Sequence, residues 1–217
     1  MSDIFREVDE DVRRDQLKKL WDRYGILMIV LGVLLVAGIG GWRGYEYWVS
    51  QKAARAGADF EAAAALSESG KDAEAEAAFV KIAGEAPSGY RALAGLRAAA
   101  ETAQRDPKAA VVAYDKLSAD RSLGIALQDL AGLRAAMLLL DSVPFDEMRR
   151  RLDVLAEPGR AFRHSARELL AISAWRHGDA AAAKRYIDMI AADGETPAGT
   201  RSRVEVLSAL IAADGKG

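Results

Sequence analysis

An uninterrupted apolar run from Tyr24 to Trp42 is the feature that most constrains what this chain can fold into. No charged side chain lies between Arg23 and Arg43, so a helix through the run is apolar on every face. Such a helix is about 28 Å long, close to the thickness of a bilayer's hydrocarbon core. A surface helix of a soluble protein keeps one polar face. We therefore predict a transmembrane helix over residues 24–42, with a buried core helix as the alternative.

Aromatic residues flank the run at both ends, as is typical of helices that cross a membrane–water interface. The predicted interface anchors are Trp21, Tyr24, Trp42 and Tyr45. Within the helix, Gly40-x-x-x-Gly44 offers a small-residue face on which a second membrane helix can pack. A cleaved signal peptide is disfavoured because the segment before the run is long and rich in acids, and no good cleavage site follows the run.

Basic residues are more frequent before the run than after it. Five lie between residues 13 and 23, and three lie between residues 43 and 55. By the positive-inside rule, this excess places the N-terminus in the cytoplasm and residues 50–217 outside, which in a bacterium is the periplasm. Residues 1–23 carry apolar residues at helical spacing. They are predicted to form a cytoplasmic amphipathic segment that lies on the membrane or on a partner, or that is only a solvated lead-in helix.

The composition excludes several classes of function. The 217 residues include no cysteine and carry a net charge of −2. Without thiols there are no disulfides, no thiol catalysis and no thiolate metal ligands. A near-neutral charge provides no basic field that would attract nucleic acid. The residues after the run are enough for one domain, and their many alanines suit closely packed helices.

A seven-residue motif recurs in the C-terminal part and indicates an internal repeat. Residues 93–99 read LAGLRAA, and the same letters return at residues 130–136, an offset of 37. We align a degenerate third copy at residues 169–175, so that Leu169 matches Leu130. A second series of apolar pairs has a similar period: Phe79/Ile82, Tyr114/Leu117, Leu152/Leu155 and Ile187/Ile190.

The two series indicate one helix hairpin per repeat, in which the A helix carries the motif and the B helix carries the apolar pair. The predicted hairpins are 50–69 with 72–85, 88–104 with 107–118, 122–141 with 145–156, and 160–177 with 179–192, and a last helix covers 198–213. Asp106 and Asp179 at the breaks are suited to start B helices. One hairpin cannot bury both of its faces, so we predict an all-α solenoid in which neighbouring hairpins stack.

Two stretches resemble tetratricopeptide repeats: GKDAEAEAAF at residues 70–79 and GDAAAAKRY at residues 178–186. The sequences at residues 4–11, 20–21 and 24–25, followed by one span and a repeat domain, give a layout similar to a tetratricopeptide-like inner-membrane family. This family is typified by the ancillary subunit of the bacterial Sec translocon. The resemblance implies a single-pass type II membrane protein whose partners are the Sec translocon, periplasmic chaperones and newly exported polypeptides. It implies no catalysis.

The sequence contains no nucleotide-binding loop, zinc-protease motif or serine-hydrolase motif, so we predict no catalytic residue, cofactor or metal site. His164 and Glu168 lie one helical turn apart, but no third ligand is evident, and we expect a polar surface pair. His177 stands at a helix end, where we expect it to cap free carbonyls. Arginines between residues 149 and 167 form a basic region, which either receives acidic client segments or is only a solvated face.

Arg97 and Arg134 hold the same place in two copies of the motif. If that place faces the groove of the solenoid, two guanidinium groups line it one repeat apart and can bind carboxylates or carbonyls of a peptide. The alternative is an intramolecular ion pair with Glu101, Asp129 or Asp141, or packing of the arginine stems between repeats.

These features together predict a membrane-tethered, non-catalytic module whose repeats bind extracytoplasmic polypeptide. Tethering raises the effective concentration of the module near the membrane, so weak contacts in the groove suffice. A structural adaptor of envelope biogenesis or cell division, joining two fixed partners, is the alternative, and a membrane-bound hydrolase is a third and less favoured hypothesis. The sequence leaves open whether Trp175 belongs to the core or to the groove.

Overall fold

The computed structural model describes the backbone of residues 3–214 and the side chains of Lys18 and of residues 21–213. This part of the chain is helical, with one short 3-10 turn at Arg121–Leu123 and no strand. The α-helices are α1 Asp3–Glu68, α2 Asp72–Glu85, α3 Ser88–Arg105, α4 Pro107–Ala119, α5 Ile125–Leu139, α6 Phe145–Leu152, α7 Arg163–Arg176, α8 Ala180–Ala192 and α9 Ala198–Asp214. The all-α fold predicted from the sequence is confirmed.

Helix α1 contains the apolar run, and its side chains there are not covered by protein. The chain divides into two compact units, Met1–Lys52 and Ala53–Gly217. The most apolar window of the stretch Trp21–Glu68 is only 6% buried. Ile26, for example, is 82% exposed. A core helix would be covered, so that alternative is wrong. In the described part of the chain, α1 is the one helix long and apolar enough to cross a membrane.

The predicted membrane contacts of α1 are all accessible. The four aromatic anchors are exposed: Trp21, Tyr24, Trp42 and Tyr45. Apart from the helix itself, no described atom lies within 4 Å of a Cβ built on Gly40 or Gly44. Their roles, like the division into residues 1–23, 24–42 and 50–217, stay predictions. Most side chains of the amphipathic segment lie outside the described residues.

The second unit is a stack of helix hairpins joined by shared apolar clusters. Phe79 of α2 lies in one cluster with Ala94 of α3, and Tyr114 of α4 lies in another with Ala135 of α5. A third cluster, around Leu170 of α7, takes in residues from α5 to α9. Of the predicted apolar pairs, every member is buried except the half-buried side chain at position 117. Because each cluster spans two hairpins, no hairpin buries its core alone, as expected for a repeat protein.

Glycine permits the tight turns from A helix to B helix in the first and fourth hairpins. Gly70 has a φ of 75° and follows α1. Its N–H donates to Ser67 O at 3.0 Å, and Lys71 N–H donates to Leu66 O at 3.0 Å, which is the Schellman arrangement of a helix end. Gly178, with a φ of 79°, closes α7 in the same way. A side chain would be strained at either position.

Side chains cap several helix ends as the sequence predicts. Asp106 accepts a hydrogen bond from Ala109 N at 3.0 Å, Asp179 accepts one from Ala182 N at 2.8 Å, and His177 Nδ1 lies 2.8 Å from Ser173 O. These contacts satisfy backbone groups that the helix itself leaves free.

Three helices are shorter than predicted: α7 begins at Arg163 rather than at position 160, and α5 and α6 are shortened for local reasons. Helix α5 begins at Ile125 rather than at position 122, because Gly124 has a φ of 74°, which is incompatible with a right-handed helix. Helix α6 ends at Leu152 rather than at position 156. The chain beyond it forms turns, and the carbonyl of Ala156 accepts a hydrogen bond at 2.9 Å from Arg167 Nε on α7.

Candidate functional site

The A helices lie on the tighter, inner side of the stack. Within the second unit, α3 packs on α5, α5 on α7, and α7 on α9. The backbones of successive B helices approach each other less closely. They are joined through long side chains, as in the ion pair of Arg151 on α6 with Asp115 on α4, at 2.9 Å. We call the exposed side of α3, α5, α7 and α9 the inner face.

Equivalent positions of the repeat lie on the inner face of each A helix. The third copy of the motif is aligned one residue away from the alignment predicted from the sequence. Arg97 and Arg134 are exposed at matching positions on α3 and α5. The alignment predicted from the sequence puts Ser173 at this place on α7, but Ser173 is fully buried. A shift of one residue matches Ser173 with the buried Ala135, and Ile172 with Arg134. The predicted alignment was wrong because leucine and alanine occur on several faces of these helices, whereas burial separates the faces.

With the corrected register, the inner face has two halves of different character. Its side chains are Leu93 and Arg97 on α3, Leu130, Arg134 and Met137 on α5, Glu168, Ile172 and Trp175 on α7, and Arg203, Val206 and Leu210 on α9. The half on α3 and α5 carries two cations, and the half on α7 and α9 is mainly apolar.

Arg97 and Arg134 have no hydrogen bond and no ion pair within the described part of the chain. The acids considered above as their intramolecular partners are instead engaged by other residues: Asp129 by Arg160, Asp141 by Arg176, and Glu101 by Ser67. The predicted alternative of an intramolecular ion pair is therefore wrong. The prediction that the two guanidinium groups bind a partner stays a prediction.

The buried Tyr114 lies close enough to both arginines to be affected by their charges. Its side chain is buried between α3, α4 and α5, and its hydroxyl lies 3.5 Å from Leu96 O. Burial raises the pKa of the Tyr114 hydroxyl, the charges of Arg134 and Arg97 act to lower it, and the carboxylate of Glu101 acts to raise it. The two arginines on neighbouring A helices therefore share an electrostatic environment that also contains one buried carboxylate. The sequence identified Tyr114 only as a core residue, because no local pattern predicts which side chains of α3 and α5 lie near it.

A cleft of about 240 Å³ lies between α7 and α9 at the other end of the inner face. Its apolar lining includes Ile172, Trp175, Val206 and Leu210. At its edge, Arg203 Nε donates to Glu168 Oε1 at 2.5 Å and ties the two helices together. Trp175 thus packs partly on the core and also lines the cleft. This cleft was not predicted from the sequence, although the apolar pair Val206/Leu210, one turn apart on the last helix, was a signal for it.

The basic region between residues 149 and 167 is largely neutralised within the molecule. Its ion pairs join Arg149 to Asp146 and Asp153, Arg150 and Arg151 to Glu147, Arg160 to Asp129, and Arg163 and Arg167 to Asp193. Because these cations already have acidic partners, the pairing favours the interpretation as a solvated, structural face over that as a client site.

Asp193, in the turn between α8 and α9, contacts three side chains of α7. Arg163 Nε lies 2.8 Å from its carboxylate, Arg167 Nη1 3.1 Å and His164 Nε2 3.0 Å. Hydrogen bonds from Arg163 hold the pKa of the Asp193 carboxyl well below its usual range. His164 is buried rather than on the surface, and it faces Asp193 whereas Glu168 is bonded to α9. Among the described residues, no three potential metal ligands come together.

Comparison with known proteins identifies the repeat type. A family model described as a tetratricopeptide repeat-like domain matches residues 18–195, which is more than half of the 217 residues. The match begins before the apolar run and ends after the fourth hairpin, so it includes both. No curated protein and no solved structure matches the chain.

Proposed function

Because the chain belongs to the tetratricopeptide repeat-like domain family, we propose that it is a membrane-anchored, non-catalytic module that binds polypeptides on the extracytoplasmic side. We place it in a bacterial inner membrane, where it assists the Sec translocon and periplasmic chaperones with newly exported proteins. The observation that carries the proposal is the pair of exposed arginines on the inner face, Arg97 and Arg134, which have no acidic partner in the described chain.

The physical basis is the contrast between these two cations and the other arginines of the repeat unit. Most of the latter are bonded to acids of the same chain, as Arg163 and Arg167 are to Asp193. A cation that remains exposed and unpaired is complementary to carboxylates and carbonyls of a partner. Stacked helix hairpins present such groups along one extended surface, which suits an extended chain.

The proposed place in the cell rests on the N-terminal part of the chain. The exposed apolar run of α1 supports a membrane anchor, and the excess of basic residues before it supports a cytoplasmic N-terminus. The link to the Sec translocon and to chaperones rests on the resemblance at residues 4–11, 20–21 and 24–25.

Site-specific photocrosslinking in cells tests the proposed clients. A crosslinker at Met137, exposed on the inner face, is expected to capture many newly exported chains and the translocon. The same crosslinker at Val112, exposed on the B helix α4, is the control and is expected to capture far fewer. One stable partner at both positions, with no exported chains, would favour the structural adaptor instead.

Charge reversal tests the two arginines. The double variant Arg97→Glu/Arg134→Glu is expected to weaken client capture while leaving helicity unchanged, because both side chains are exposed. The variant Lys81→Glu/Lys108→Glu makes the same change in net charge on exposed positions of the B helices α2 and α4. Equal client capture by both double variants would show that the two arginines are not part of the binding site.

Protease access tests the orientation. In intact spheroplasts, external protease is expected to digest residues 50–217 and to leave the N-terminal segment protected. Protection of the repeats until the membrane is opened would place them in the cytoplasm and overturn the proposed location.

A further inference from the structure

The cleft between α7 and α9 is suited to a large apolar side chain. Its volume of about 240 Å³ exceeds that of one leucine or phenylalanine side chain, and Ile172, Trp175, Val206 and Leu210 line it. Val206 is 61% exposed and Leu210 is 47% exposed, although both belong to a helix whose other face packs on the core. Burying such side chains against a partner is favourable by roughly 25 cal/mol for each Å² of apolar surface removed from water.

The spacing of packed helices sets the distance between the two arginines and this cleft. Arg97 and Arg134 are exposed at matching positions on the packed helices α3 and α5, and the cleft lies between α7 and α9. Two steps from one A helix to the next separate them. With about 8–10 Å between packed helices, these two steps amount to roughly 16–20 Å. An extended chain advances about 3.3 Å per residue, so five or six residues cover this distance.

The charges on the inner face determine which kind of group binds at the end away from the cleft. On α3 and α5 the two guanidinium groups have no hydrogen bond and no ion pair in the described chain, whereas the cations at the cleft are engaged, Arg203 by Glu168 and Arg176 by Asp141. The side of the inner face formed by α3 and α5 therefore attracts an anion, while the cleft offers mainly apolar contact.

We propose that the inner face recognises an extended polypeptide segment in which a carboxylate and a large apolar side chain stand five or six residues apart. The carboxylate, from an acidic residue or from a chain end, binds between the exposed side chains of Arg97 and Arg134. The apolar side chain enters the cleft lined by Ile172 and Leu210. This proposal rests on the proposed role of the inner face in binding polypeptides, and it adds a spacing rule to it.

Fluorescence anisotropy with labelled peptides and the full chain in nanodiscs tests the rule. The matched peptide carries Glu and Phe about six positions apart on a Gly/Ser scaffold, in both orders along the chain. The control peptides replace Glu by Gln, replace Phe by Ala, or bring the two residues to a spacing of about two. We expect one order of the matched peptide to bind at least about tenfold more tightly than each control, as one charge-assisted bond or one buried ring would provide.

Two variants of the protein separate the two ends of the site. Arg97→Gln/Arg134→Gln is expected to bind the Glu and Gln peptides equally while it still prefers Phe over Ala. Val206→Ser/Leu210→Ser is expected to bind the Phe and Ala peptides equally while it still prefers Glu over Gln. Both positions are exposed, so the substitutions should not unfold the protein. Circular dichroism of both variants checks that the helices are intact. Equal weakening of all peptides by both variants, or no preference for the matched spacing, would overturn the proposal.

Other occupants of the inner face give distinct results. If the cleft is covered by a second copy of this chain, Val206→Ser/Leu210→Ser changes the mass of the particle in detergent, and the proposal is wrong. If anionic vesicles bind through the two arginines and the peptides do not, it is also wrong. If an unfolded exported protein still binds the inner face without any spacing rule, the proposal fails while the proposed function stands.

Discussion

Ile172 on α7 occupies the position that Arg134 holds on α5. The residue before each of them and the two residues after it are buried, in the same order along the helix. Arg97 occupies this position on α3. One structural position in the repeat thus carries a cation in two copies and an aliphatic side chain in the third. The change divides the inner face into a cationic half and an apolar half, and it makes binding by two kinds of contact possible.

The apolar run of α1 should be required for membrane retention. We expect Leu31→Arg/Leu34→Arg to release the chain from the membrane, because each Arg near the centre of a span costs roughly 2.5–3.5 kcal/mol of insertion free energy. The matched control is Leu31→Ile/Leu34→Ile, which keeps the run apolar. Extraction of membranes with alkaline carbonate measures the retained fraction, and equal retention of both variants would contradict a spanning helix.

The contact of Gly57 with Tyr90 should make Gly57 intolerant of a side chain. A Cβ built on Gly57 lies 2.8 Å from Tyr90 Oη, whereas one built on Gly132 lies no closer than 3.8 Å to any atom outside its own helix. Alanine is better than glycine in a helix interior by roughly 1 kcal/mol. We therefore expect Gly132→Ala to raise the free energy of unfolding by up to about 1 kcal/mol and Gly57→Ala to lower it by a similar amount.

Removal of the tyrosine hydroxyl tests the cause of that difference. In the Gly57→Ala background, Tyr90→Phe removes the atom that the new methyl group would meet, so it should restore most of the lost stability. Urea unfolding followed by circular dichroism provides the four free energies of this double-mutant cycle. A strictly additive cycle would show that the two side chains do not meet.

Asp193 should make the stability of the repeat unit fall at acid pH. Its pKa is lower in the folded chain than in the unfolded chain, with hydrogen bonds from Arg163 as the first cause. The unfolded chain then binds the proton more readily, so the stability from Asp193 is fully present above about pH 4 and declines below it. We expect Asp193→Asn to lower the free energy of unfolding at pH 7 and to flatten its decline between about pH 5 and 3.

A surface acid provides the control for this effect. Asp188 pairs with Lys184 on the exposed side of α8, at 2.9 Å. Asp188→Asn removes the same charge, and it should change the free energy of unfolding at pH 7 by no more than about 1 kcal/mol. If both variants had equal effects on the urea midpoint at every pH, the network around Asp193 would not stabilise the fold.

Asp129 should affect stability in the opposite direction. Its carboxylate is buried 3.4 Å from Arg160, and burial raises the pKa of this carboxyl above its usual value despite that cation. A raised pKa means that the folded chain disfavours the ionised form, so this cost is present at neutral pH and disappears as the pH falls through the folded and unfolded pKa values. We expect Asp129→Asn to leave the free energy of unfolding at pH 7 unchanged or to raise it by up to roughly 1 kcal/mol. A large loss of stability on urea unfolding would show that the pair with Arg160 outweighs the burial of the charge.

Local signals in the sequence determined the elements of this protein. The charge-free run from Tyr24 to Trp42 predicts a helix that needs an apolar environment, since every face of it is apolar. Gly70 and Gly178 end A helices, and Asp106 and Asp179 start B helices, through bonds to residues only a few positions away. The repeat then predicts the hairpin stack, because a hairpin that cannot bury both faces must pack on a neighbour.

The tertiary structure alone decided what the inner face carries. It determined that Ile172, rather than Ser173, is the equivalent of Arg134, that Tyr114 is affected by the charges of two arginines from other helices, and that Val206 faces α7 across a cleft. It also showed that the basic region is neutralised by its own acids. These relations join residues that are distant in the chain, and they depend on the rotation and spacing of whole helices. Periodicity predicts which side of a helix is buried, but only packing determines which side chains of different helices meet.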